Sequence, residues 1–222
     1  VIIKPPFVAA GLLAGTLLTP PPAMAAASAA PPSPDQLKAA LLTSEDLSSD
    51  FTRTPPSRWS PFAPSNAHTK SCTTAVKNIA PLYRTKIATR FEREEGWEWV
   101  NEYIVSGTHG KISTLERAAK ALARDCPGVR FVTKGTKDTI RKLSVGTLGD
   151  AVYAIKYRSG FPDSNLDKDS MVAIDIVIIR VRNTMITLDH TGNVNAFDPA
   201  TTRTAAEAAT QRLQRTIEQD AG

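Results

Sequence analysis

Three histidines, two cysteines, a run of glutamates and a stripe of aromatic residues are the side chains of this 222-residue chain most able to do chemistry. Proton transfer by His68, His109 or His190 would need a nucleophile beside the imidazole and an acid to orient it. Ser, Thr and Asp are plentiful, yet no Gly-x-Ser-x-Gly elbow occurs. His68 stands in a proline-rich stretch and His109 in a turn, so both are expected at the surface. His190 follows Leu188-Asp189 at a strand end. A metal site draws on several His, Cys or carboxylate ligands at close spacing, and Asp189-His190 alone falls short. No catalytic residue, metal ligand or cofactor is therefore assigned, and the chain is read as a non-enzyme. Glu92, Glu94, Glu95, Glu98 and Glu102 flank one predicted hairpin, where two facing carboxylates could act on a glycosidic bond. A charge run on a strand edge is more often solvated and deters edge pairing.

The aromatic stripe has two readings. Alternation places Trp97, Trp99, Tyr103 and Val105 on one strand face, with Glu98, Val100, Glu102 and Ile104 on the other. Aromatic residues dominate cores, so covering the core is the commoner role. The sharper reading is a cleft wall with Tyr153, Tyr157 and Arg158 opposite, a combination suited to a sugar or a peptide. Asp175, inside an otherwise apolar strand, needs a partner if buried, and Lys156 or Arg180 is expected to supply it.

The cysteines are read through the chain's address. Phe7 to Leu18 is an apolar run, followed by Pro20-Pro21-Pro22 and the small-x-small pattern Ala23-Met24-Ala25. Residues 1–25 thus read as a secretory signal peptide, too short in its apolar part to span a bilayer. Residues 26–34 are rich in Pro, Ala and Ser and read as a linker. Residues 35–219 fit a single domain. Export meets an oxidising compartment, so Cys72 and Cys126 are expected to pair rather than remain separate buried thiols. Closing a loop of about 54 residues is worth about 4 kcal/mol in the chain-entropy model. No cysteine stands near the cleavage site to accept a lipid, so the expected localisation is secreted and extracellular, with no stable membrane insertion after cleavage. The chain carries 27 Lys+Arg against 22 Asp+Glu. The two signs are interleaved, as in Arg90 to Glu95, which argues against a nucleic-acid surface.

The elements that must position these residues follow from periodicity. Ser33-Pro34-Asp35-Gln36 reads as a capping-box helix start. Residues 51–70, with four prolines, read as an extended loop, and a short helix is expected over 73–82. Strands are predicted over 87–92 and 97–105, joined through Gly96. Ser113 and Glu116 read as a second capping box, for a helix carrying Leu115, Ala119, Leu122 and Cys126 on its inner face and stopped by Pro127-Gly128. Further strands are predicted over 129–133, 140–145, 151–157, 171–181 and 185–189. The strand over 171–181 is apolar on both faces and belongs mid-sheet. Asp198-Pro199 opens a last helix with Ala206, Ala209, Leu213 and Ile217 inward. Short turns mean antiparallel pairing, and grouped helices mean α+β. The expected fold is a mostly antiparallel sheet of six to seven strands packed with helices and held by one disulfide.

Several of these segments together resemble a known family: the Leu41-Leu42-Thr43-Ser44-Glu45-Asp46-Leu47 stretch, the first cysteine, the strand pair, and the Ala-rich helix ending in the second cysteine. The Leu148-Gly149-Asp150-Ala151 turn and the strand reaching Ile178-Ile179-Arg180-Val181-Arg182-Asn183 complete the pattern. The chain is similar, over about Leu37 to Ile217, to the actinobacterial extracellular sensor domains found as the outer domain of PknH-type receptor kinases and as stand-alone exported relatives. The resemblance implies an antiparallel sheet with helices and a cleft, and a role in binding an unknown extracellular small molecule, glycan or protein. Kinase-linked members carry a kinase, a membrane span and more disulfides. The role implied here is accordingly that of an exported binding domain, with a secreted hydrolase or an accessory protein docking on a cell-surface partner as alternatives.

Overall fold

The computed structural model of the protein describes residues 31–56, 60, 62–93, 97–166, 171–193 and 197–219. The predicted signal peptide, residues 26–30 of the predicted linker, Glu94 and Glu95 lie outside them. The fold is α+β. Eight strands, β1 (Phe51–Thr54), β2 (Ala88–Arg93), β3 (Glu98–Ser106), β4 (Arg130–Val132), β5 (Lys137–Lys142), β6 (Ala151–Gly160), β7 (Val172–Val181) and β8 (Thr184–Gly192), form one antiparallel sheet in the order β1-β2-β3-β8-β7-β6-β5-β4. Four α-helices accompany them: α1 (Pro34–Ala39), α2 (Lys70–Ile79), α3 (His109–Asp125) and α4 (Pro199–Gln219).

β7 explains why the sheet has two covers. Ile174, Ile176 and Ile178 point to one face and join a core with α2 and α3, which includes Ile79, Leu115, Leu122 and Ile155. Val177, Ile179 and Val181 point to the other and pack with α1 and α4 through Leu37, Ala206, Ala209 and Leu213. A strand apolar on both faces is stable only where both are buried. The predicted inner stripe of α4 is the one buried, with Ile217 packed beside it.

Local signals account for most element ends. Ser33 caps α1 in a capping box with Gln36, as expected. Cys72 lies in α2, and Cys126 caps the C-terminus of α3. They form a disulfide with Cα atoms 4.7 Å apart, bonding the two helices on one face of the sheet. The Leu148-Gly149-Asp150 turn has a steric reason. Gly149 has φ 56°, and a Cβ there would stand 2.2 Å from the carbonyl oxygen of Arg180. That close approach lets the Asp150 amide donate to the same carbonyl at 2.7 Å, while the Asp150 carboxylate accepts the Arg182 amide. The turn before β6 is thereby tied to the Arg182-Asn183 turn joining β7 and β8.

The structure departs from the sequence reading in two elements. β1 is an additional strand, where residues 51–70 read as loop. Its four residues pair with β2 from Phe51↔Arg93 to Thr54↔Arg90. The prolines begin only at Pro55, so a short alternating Phe-Thr-Arg-Thr segment escapes their veto. α3 starts at His109, capped by Thr108, whose hydroxyl accepts the Lys111 amide at 3.4 Å. The Ser113/Glu116 pattern falls inside the helix, where the Ser113 hydroxyl meets His109 rather than a free amide.

Candidate functional site

On the α2/α3 side of the sheet, α3 packs on β6 and β8, away from the β1 edge. There the outward side chains of β1, β2 and β3 border a groove of about 560 Å³. Thr52 and Thr54 of β1, Arg90 and Glu92 of β2, and Trp99 of β3 form its floor, because the register pairs Thr52 with Glu92, Thr54 with Arg90, and Glu92 with Trp99. Trp97 stands at the rim, 75% exposed, with φ 57°. Arg93 and Glu98 border the hairpin end, with their side chains turned toward the α4 face by strand alternation.

The charges in the groove are matched. Arg90 pairs with Glu92 and lays its guanidinium over the Trp99 ring, 5.1 Å from the centroid. Arg93 bridges Asp50 at 2.6 Å and Glu98 at 2.5 Å. One wall atom is unmatched: the Thr54 hydroxyl has no solvent contact and no hydrogen-bond partner.

Behind Trp99 the polar character continues inward. Arg90, Asn101 and Asp189 are in register across β2, β3 and β8. Asn101 donates to Asp189 at 2.7 Å, while the other Asp189 oxygen is buried without a partner. Burial raises the Asp189 carboxyl to about 7, against the opposing pull of Asn101 and Arg90. On the far face, burial raises Glu102 to about 8, although its carboxylate accepts the Leu42 amide at 2.7 Å.

These two carboxyls set a pH dependence. The folded protein keeps their protons where the unfolded chain, near 4.5 for Glu102 and 3.8 for Asp189, has released them. The unfolded state then binds fewer protons, so stability falls as pH rises through that window, up to about 8 and about 7. Denaturant midpoints should therefore be lower at pH 8.5 than at pH 5, and Glu102→Gln should flatten the curve. A Glu102→Gln curve parallel to that of the parent would rule out the Glu102 contribution.

The α4 side holds a buried chain of polar groups. Arg158 pairs with Asp175 at 2.8 Å and lies over the Phe197 ring, 4.6 Å from its centroid. Asp175 accepts the Thr202 hydroxyl at 2.9 Å. His190 Nδ1 lies 2.7 Å from that hydroxyl oxygen, and its Nε2 lies 2.7 Å from Glu98. Glu98 also accepts the Asp198 amide at the start of α4. Acid, imidazole and hydroxyl stand here in the order that nucleophilic catalysis uses. The Thr202 proton, however, goes to Asp175 rather than to the imidazole, and every member of the chain is buried. His68, in a left-handed backbone conformation, bonds Asp138 at 2.7 Å, and Ser159 donates to the other Asp138 oxygen at 2.6 Å. The carboxylate thus separates hydroxyl from imidazole. Among the described residues, no three His, Cys, Asp or Glu side chains group as a metal site.

Of the six residues predicted to line a ligand site, the groove brings together Trp97 and Trp99. Tyr103 is core, edge-on to Tyr83 at 5.0 Å. Tyr157 is buried against Phe62 at 5.4 Å and accepts a hydrogen bond from Asn66. Tyr153 donates to Glu116 of α3 at 3.0 Å. Arg158 sits on the opposite side of the sheet from both tyrosines, as strand alternation requires. Trp97 precedes β3 with a positive φ and does not continue its stripe.

Several side-chain placements correct the sequence reading. Asp175 takes Arg158 and Thr202 as partners in place of the expected Arg180. Arg180 is five residues from Asp175 and so faces the other way, where it pairs with Glu116 at 2.8 Å. Glu98 and Glu102 are buried rather than solvated, and their alternation with Val100 and Ile104 was the available signal. His68 and His109 are both exposed, as expected, although the His68 side chain against Asp138 keeps only 17% of its surface. Thr52, Thr54, Arg90 and Glu92 were missed as site residues because β1 was.

Among solved structures, the chain is similar to the extracellular domain of PknH from Mycobacterium tuberculosis, at 13% identity and TM-score 0.53, covering 85% of this chain and 98% of that one. An uncharacterised protein of Mycobacterium smegmatis aligns at 14% identity and TM-score 0.44, over 82% of this chain and 97% of that one. No family model and no curated protein matches the sequence. With an eight-stranded antiparallel sheet covered on both faces, the chain has the fold of the extracellular domain of PknH.

Proposed function

We infer that the chain is a secreted, non-catalytic, sensor-like binding domain that holds an extracellular ligand in the groove beside β1, β2 and β3. The observation that carries this reading is the groove itself, with one tryptophan in its floor and a second on its rim. Elsewhere the large aromatics are mostly packed into the core. The PknH likeness supports an extracellular setting, and no described helix is long and apolar enough to cross a membrane. A hydrolytic role is disfavoured because both histidine clusters direct their hydroxyl protons to carboxylates.

Native and denaturing mass spectrometry of protein recovered from culture medium tests the reading. A ligand mass present only in the native spectrum, and lost with Trp99→Ala in a variant that keeps its melting point, is the expected result. A ligand retained by that variant would place binding outside the groove. The alternative of docking on a partner has one observation in its favour. Phe131 and Val132 of the edge strand β4 are exposed, as is Phe161. A stable complex abolished by Val132→Lys would favour that alternative.

A further inference from the structure

We propose that the groove recognises a neutral saccharide. The proposal rests on the groove being the binding site and names the chemistry of what it holds.

Charge comes first. Arg90 is matched by Glu92, and Arg93 by Asp50 and Glu98. Among the described residues lining the groove, an anionic ligand would find no arginine without a carboxylate already on it, and a cationic ligand no glutamate without an arginine. Breaking either pair to bind a charged group would leave a partly buried charge uncompensated. A cation seeking the Trp99 ring would also have to displace the guanidinium that lies over it. The groove therefore favours a ligand without net charge.

Shape and polarity narrow the class. Trp97 offers an open indole plane at the rim, and Arg90 fixes the orientation of the Trp99 ring. A pyranose presents a face of C–H groups, whose slight positive charge suits an aromatic face, and a rim of hydroxyls. The groove supplies partners for that rim. Glu92 accepts, Arg90 donates, and the exposed Thr52 hydroxyl does either. A purely apolar ligand would cover the Arg90–Glu92 pair without offering it a hydrogen bond.

The test follows the indole N–H resonances of Trp97 and Trp99 by NMR during titration of the intact exported protein. The probes are maltotetraose, cellotetraose and triacetylchitotriose as neutral saccharides, tetragalacturonate as a charged one, and an extended neutral hexapeptide. At least one neutral saccharide is expected to move both resonances saturably, with tetragalacturonate and the peptide at least tenfold weaker. Trp97→Ala, at an exposed position that the fold does not need, should weaken that saccharide about tenfold. Movement by tetragalacturonate or the peptide alone would overturn the neutral-sugar assignment while leaving the groove as a binding site. If no probe moves either resonance at millimolar concentration, the saccharide assignment falls. If native mass spectrometry then also shows a ligand that Trp99→Ala retains, the groove reading falls with it.

Discussion

Arg158→Met should lower the melting temperature by roughly 10 °C or more. Removing one partner of a buried ion pair costs about 3–5 kcal/mol, because the other charge stays behind uncompensated. Asp175 has no solvent exposure, and without Arg158 it would keep the hydrogen bond from the Thr202 hydroxyl but lose its cation. The guanidinium also donates to the carbonyls of Tyr157 and Ile174 at 2.8 and 3.2 Å, so two acceptors lose a donor as well. Phe197, under the guanidinium and stacked on His190 at 4.2 Å, would lose one of its two flat neighbours just before α4. The loss should therefore appear as loosening of the α4 N-terminus, read as faster amide exchange at Thr202 and Ala205. Arg158→Met/Asp175→Asn should recover much of the stability by removing the stranded charge. Equal melting temperatures for Arg158→Met and the parent would show that the pair contributes no net stability.

Cys72→Ser should cost about 4 kcal/mol under oxidising conditions, from the chain entropy restored to the unfolded state. Both cysteines are fully buried between α2 and α3, so the serine hydroxyl adds a polar group to an apolar site. Cys72→Ala/Cys126→Ala separates the two effects, because it removes the cross-link without the hydroxyl. The comparison that isolates the bond is the parent with and without reductant. Reduction should lower the melting temperature by about as much as the double alanine variant does. A parent that melts identically in both conditions would mean that the cross-link does not stabilise this fold.

Particular residues show what was legible. The α4 stripe of Ala206, Ala209 and Leu213 and the two-faced apolar run of β7 are periodic over a few turns or residues, and periodicity reflects local backbone geometry. The Leu148-Gly149-Asp150-Ala151 motif was visible as a turn, but the reason its glycine is needed was not. The carbonyl that a Cβ would strike belongs to Arg180, which only the folded chain brings near. The burial of Glu98 and Glu102 was written in their alternation with Val100 and Ile104, but their charge masked it. The two tryptophans were legible as a candidate cleft wall and do border a groove, whereas the residues expected opposite them do not. Tyr153 and Tyr157 lie on β6, separated from β3 by β8 and β7, while β1 and β2 flank the tryptophans.

The sequence by itself determined the α+β class, the antiparallel pairing of adjacent strands, the pairing of Cys72 with Cys126, and most helix and strand positions. These follow from short-range periodicity, turn chemistry and redox compartment, which need no knowledge of distant segments. Only the tertiary structure decided that β8 inserts between β3 and β7, so that His190 meets Glu98 from 92 residues away and Asp175 meets Thr202. It also decided that β1 adds an edge beside β2 and completes the groove. Strand order and long-range side-chain partners depend on which hydrophobic faces bury one another across the whole chain, and no local window of sequence contains that balance.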